Sequence, residues 1–193
     1  MRPHWHEDDV EQLSPDEFRA YCREVPGYVN EQDHFGYTPL VAACTKGNAA
    51  VARALLETGA DPNFVASDGE SPLKAAVPSP GKPFNRELFD LLLAAGANPN
   101  LGLEPVLHAA VARGDRELVT YLVRRGADPN LDDVDGSPPL FWAGVYGGRP
   151  DIEMMRVLVG LGADPARRDG VGTTLEERIG PYEMRRVMTG HDE

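Results

Sequence analysis

Four copies of one short phrase constrain this chain more than any other feature. Gly-Ala-Asx-Pro occurs as GADPN at Gly59 to Asn63, GANPN at Gly96 to Asn100, GADPN at Gly126 to Asn130 and GADP at Gly162 to Pro165. The spacings of 37, 30 and 36 residues scatter about 33. A second landmark runs in phase with it: TPL at Thr38, SPL at Ser71, PVLHAA at Pro105 and PPL at Pro138, with leucines 33, 34 and 33 residues apart. Two landmarks that keep phase over most of a chain indicate one structural unit used repeatedly, each copy burying its apolar face against the next.

Each landmark has a physical meaning. Thr38 or Ser71 can accept a hydrogen bond from an unpaired N–H at a helix start. The proline after it suits the first helical position, where its missing N–H goes unused. Gly59, Gly96, Gly126 and Gly162 follow the apolar runs ARALLET, LFDLLLAA, VTYLVRR and MRVLVGL, where glycine can take the left-handed conformation that closes a helix. Asp-Pro or Asn-Pro then opens a turn. With a further glycine at Gly47 and Gly114, each unit reads as a short helix, a tight turn, a second helix and a reversing loop.

These residues resemble the ankyrin-repeat family, whose motif joins a D-x-x-G finger, T-P-L-H-x-A-A, an inter-helix glycine and G-A-D-x-N. The resemblance covers roughly residues 27 to 179 and implies an all-α solenoid of stacked helix-turn-helix units with short finger loops. Fingers are DHFG at Asp33, ASDG at Ala66 and DVDG at Asp133; the third repeat has only LGLE at Leu101. Insertions at Pro78 to Asn85 and Gly147 to Asp151 fall between the two helices of their repeats. The expected organisation is an acidic, flexible tail over 1–12 and a single domain over 13–189. That domain has an N-terminal cap at 13–32, repeats at about 33–65, 66–102, 103–132 and 133–168, and a C-terminal cap at 169–189. The segment after Thr189 is expected to be loose as well.

The formal net charge of -12 disfavours nucleic acid and anionic membrane and favours a basic partner. No long apolar run suggests a membrane span, and the acidic start HWHEDDV lacks the apolar core of an export signal, so a cytoplasmic location is expected. Arginine dominates the basic residues, a bias of GC-rich bacterial genomes. Cys22 and Cys44 lie in helical stretches among small or apolar neighbours and read as reduced thiols.

Catalytic signals are weak. His4-x-His6-Glu7 carries metal-ligand types, but in a tail that nothing preorganises. Asp133-x-Asp135-Gly136 lacks the glutamate that would close a calcium loop. His108 stands at the histidine of the T-P-L-H pattern, where the resemblance implies a structural role. No phosphate loop or nucleophile elbow occurs. The chain is therefore read as a non-catalytic binding module with no cofactor and no metal; its oligomeric state stays open, with a monomer favoured.

The resemblance implies that a partner is held on the concave side, by finger tips and the exposed face of each first helix. Those positions are His34, Phe35 and Tyr37, then Asp68 and Glu70, then Arg113, and in the fourth repeat Asp133, Asp135, Trp142 and Tyr146. Tyr37, Trp142 and Tyr146 are the expected anchors, because aromatic side chains bury large area with few rotors to freeze. The carboxylates would steer a basic partner. Two uses follow: a bacterial immunity or inhibitor protein that neutralises a toxin, or an adaptor that tethers a partner enzyme. An enzyme with an unrecognised site is the remote alternative.

Overall fold

In the computed structural model residues 14–25, 27–79, 82–145 and 148–189 are described. The chain falls into two compact units, one ending at Gly102 and the other beginning at Leu103. Among the described residues the only extended pairing is an isolated antiparallel bridge between Arg168 and Thr174, so the fold is all-α.

The first unit opens with α1 (Pro15–Glu24), followed by a 3-10 turn at Tyr28–Asn30. Ser14 starts α1 with a reciprocal capping box: its hydroxyl accepts from the Glu17 N–H while the Glu17 carboxylate accepts from the Ser14 N–H. The helical pairs are α2 (Pro39–Thr45) with α3 (Ala49–Glu57), and α4 (Pro72–Ala75) with α5 (Arg86–Ala94). Helix α3 packs on α1, on α2 and on α5, and α2 packs on α4. Each helix therefore meets both its own partner and its counterpart one repeat along. Phe18, Leu40, Leu55, Leu88, Phe89 and Leu92 fill the space between them.

The second unit repeats the scheme with α6 (Val106–Ala112), α7 (Arg116–Arg124), α8 (Pro139–Val145) and α9 (Ile152–Gly160), and ends in α10 (Leu175–Ile179) and α11 (Pro181–Thr189). Helix α8 packs on α6, α9 and α10, and α9 on α7 and α11. Gly144 is on α8 because Leu175 and Ile179 of α10 press against it: a methyl there would lie 2.9 Å from Leu175 Cδ1.

The expected helix starts are realised. Thr38 and Ser71 accept from the N–H groups of Val41 and Lys74, with Pro39 and Pro72 at the first helical position. Every second helix has a cap the spacing argument passed over: Asn48, Asn85, Asp115 and Asp151 each accept from the N–H three residues on. The first insertion shortens the helix before it. Helix α4 has four residues where α2 and α6 have seven, since Pro78 disfavours helical backbone at Val77. The two expected capping helices after Gly170 are present as α10 and α11. The segment before Leu13, and that after Thr189, lie outside the described residues.

Successive repeats are stitched by asparagine. The Asn63 amide donates to Gly96 O at 3.0 Å and accepts from the Asn98 N–H at 2.8 Å. Asn30 does the same to Gly59 and Asp61, and Asn130 to Gly162 and Asp164. The asparagine that closes GADPN thus reaches one repeat forward.

Candidate functional site

The fingers are built by one device. The Asp33 N–H donates to Tyr37 O, the Gly36 N–H donates to Asp33 O, and Asp33 Oδ1 accepts from the N–H groups of Phe35 (2.9 Å) and Tyr37 (2.8 Å). Asp133 repeats this with Asp135 and Ser137, both at 2.9 Å. Asp169 repeats it with Val171 and Thr173. That last loop, Asp169-Gly170-Val171-Gly172, is a finger the sequence reading did not single out, although its D-x-x-G spacing matches the others. In the second finger Ala66 replaces the aspartate, and Asp68 supplies the acceptor to the Glu70 N–H.

In the first unit the structure brings together all five nominated residues on two neighbouring fingers. Phe35 is 59% exposed, its ring centroid 3.7 Å from that of His34 and 6.5 Å from that of Tyr37. The Tyr37 hydroxyl donates to Asp68 Oδ2 at 2.6 Å. This bond pushes the Tyr37 pKa up to about 12 and holds the Asp68 carboxyl below its ordinary range. Glu70 lies 3.9 Å from the Lys74 ammonium.

The nominated residues of the second unit differ in exposure and in the bonds they make. Trp142 is buried, its indole Nε1–H donating to Asp133 Oδ2 at 2.7 Å and its ring meeting His108 edge-on at 5.4 Å. His108 is fully buried with Nε2 3.0 Å from Ser137 O, and burial holds its pKa below the ordinary histidine value. A neutral ring donating from Nε2 fits that carbonyl. The Arg113 side chain is nearly buried, paired with Asp115 at 3.2 Å where α6 turns into α7. Asp135 is exposed at the finger tip. Tyr146 lies outside the described residues.

Beside the fourth finger is a cleft of about 150 Å³. Phe141, Trp142 and Val145 line it together with Asp133, Asp135, Ser137 and the Asp169–Arg178 pair. Burial works against the Asp169 charge, yet the Thr173 N–H and the Arg178 guanidinium, with Nε at 3.0 Å, hold its carboxyl below the ordinary range. Fingers four and five touch through glycine: a methyl on Gly136 would lie 2.6 Å from Gly170 Cα, and one on Gly170 would collide with Asp135 O.

Among the described residues no three or more His, Cys, Asp or Glu side chains are grouped to hold a metal ion. The His4 and His6 run is outside them. Cys44 is buried and its thiol pKa is pushed far up by burial, the opposite of an activated nucleophile. No helix among the described residues is long and apolar enough to cross a membrane.

A sequence profile described as ankyrin repeats (3 copies) matches residues 8–102 and 81–169. The chain is 37% identical over 121 residues to the transient receptor potential channel pyrexia of Drosophila melanogaster, a match spanning 61% of this chain and 12% of that protein. It is 31% identical over 136 residues to human cyclin-dependent kinase inhibitor 2A, spanning 67% of this chain and 84% of that protein. The chain spans a small part of other curated proteins it matches, 5% in the Caenorhabditis elegans protein mask-1. Among solved structures it superposes on the ankyrin repeat domain of Bcl-3 with a TM-score of 0.76 at 24% identity, covering 94% of this chain and 80% of that one. Repeat register, helix pairing, finger geometry and these similarities agree: the chain is a member of the ankyrin-repeat family.

Proposed function

We infer that this chain is a protein-binding module that holds a basic partner against its finger tips and restrains the partner's activity. The observation that carries the reading is the exposure of large apolar side chains at the tips of rigid, hydrogen-bonded fingers: Phe35 at 59%, Val134 at 68% and Val171 at 78%. Such side chains in water on preorganised loops are poised to be covered, and each joins or adjoins a finger bearing an acidic group. The net charge of -12 favours a positively charged surface opposite. Human cyclin-dependent kinase inhibitor 2A, most of whose length this chain matches, is by its name an inhibitor, which supports restraint of a partner. In a bacterial host the fitting role is an immunity protein against a basic toxic enzyme.

The test is capture of a partner from the native host, followed by binding of that purified partner to wild type and to Phe35→Ala, Val134→Ala and Asp68→Asn variants. One-to-one binding that weakens in the finger variants and at high salt, with loss of the partner's activity, is expected. A partner that stays active when bound would make the chain a tether, and binding indifferent to all three variants would remove the fingers from the interface.

A further inference from the structure

We propose that the cleft beside the fourth finger receives an arginine side chain of the partner, an inference that rests on the protein-binding reading above. A cavity on the order of 150 Å³ accommodates a planar group of about benzene size. Phe141, Trp142 and Val145 offer the apolar and aromatic surface that an arginine's stem and guanidinium plane can lie against. Three aspartates line the cleft against a single arginine, Arg178, so its lining carries net negative charge.

The hydrogen bonds decide which carboxylate is left for a ligand. Asp169 is engaged by Arg178 and by the backbone of its own finger. Asp133 spends Oδ1 on two backbone N–H groups and Oδ2 on the Trp142 indole. Among the described residues the exposed Asp135 carboxylate makes no hydrogen bond or ion pair; only its backbone N–H does. Its two oxygens match the paired donors of a guanidinium, whereas an ammonium would engage them as a point charge. An anion is repelled at the same place, and a purely apolar group would leave Asp135 unused.

The test is a titration of the isotope-labelled chain with N-acetylarginine methylamide, read at the Trp142 indole N–H and the backbone amides of Asp135 and Ser137. Lysine and citrulline analogues serve as references. Saturable shifts at these three groups are expected, weakened roughly tenfold for citrulline and in an Asp135→Asn variant of unchanged thermal midpoint. Shifts that never saturate, an equal response to citrulline or lysine, or indifference to Asp135→Asn would overturn the proposal. A saturating arginine response in a chain that captures no protein would keep the cleft and sink the protein-binding reading. Capture that depends on Phe35 beside a silent cleft would do the reverse.

Discussion

The indole of Trp142 on α8 donates its N–H to Asp133 at the base of the fourth finger, 2.7 Å away, so the side chain expected to anchor a partner also holds a loop in shape. Trp142→Phe removes one donor to a carboxylate and is expected to cost about 1–2 kcal/mol. Asp133→Ala also strands the N–H groups of Asp135 and Ser137 and is expected to cost about 2–4 kcal/mol. Urea midpoints of both variants and their double mutant check this, and fully additive losses would show that the two residues do not act on each other.

The asparagine links predict a penalty at the joints between repeats. Asn63→Ala and Asn130→Ala each remove two hydrogen bonds to the next repeat and should each lower stability by about 1–2 kcal/mol, read as a lower urea midpoint. Asn63→Asp tests the geometry, since it keeps the acceptor for the Asn98 N–H and loses the donor to Gly96 O. It should fall between wild type and alanine.

Glycine at the finger contact separates a backbone effect from a packing effect. Gly114→Ala meets only the left-handed conformation, φ +75° with open space beyond, and should cost about 1–2 kcal/mol. Gly136→Ala meets a similar φ of +76° and Gly170 as well, and should cost more. Gly170→Ala collides with Asp135 O at a φ outside the left-handed range, so its loss would come from packing alone. Thermal midpoints should rank Gly114→Ala as the mildest of the three.

Ionisation of Tyr37 carries a signed pH effect. Its folded pKa of about 12 stands above the ordinary 10.0 because the neutral hydroxyl donates to Asp68. The stabilisation is therefore complete below pH 10.0 and is lost as pH rises through about 12. The Asp68 carboxyl is depressed, so its share is present above the ordinary carboxyl range and lost as pH falls through its lowered value. An ultraviolet titration should show an ionisation near pH 12 that moves toward ordinary values in Asp68→Asn. A curve unchanged by that substitution would mean the bond is absent in solution.

Much of the site was legible because much of it is local. The fingers at Asp33 and Asp133 follow from D-x-x-G, and the fifth, at Asp169, was available from the same spacing once the repeat was carried past Pro165. Arg113 and Trp142 were placed by register on the outward side, and register does say where a Cα lies. It does not say that Asp115 and Asp133 would engage those side chains.

The helix starts at Thr38 and Ser71, the glycine turns and the period near 33 needed no knowledge of the folded molecule. They rest on caps and backbone preferences that act within three or four residues. The Asn63 links, the burial of Trp142 against His108, the Asp169–Arg178 pair and the cleft beside Asp135 were decided only in the tertiary structure. Each depends on which side chain of a neighbouring helix, finger or repeat arrives opposite. Close packing settles that through contacts with residues many positions away, which no local pattern specifies.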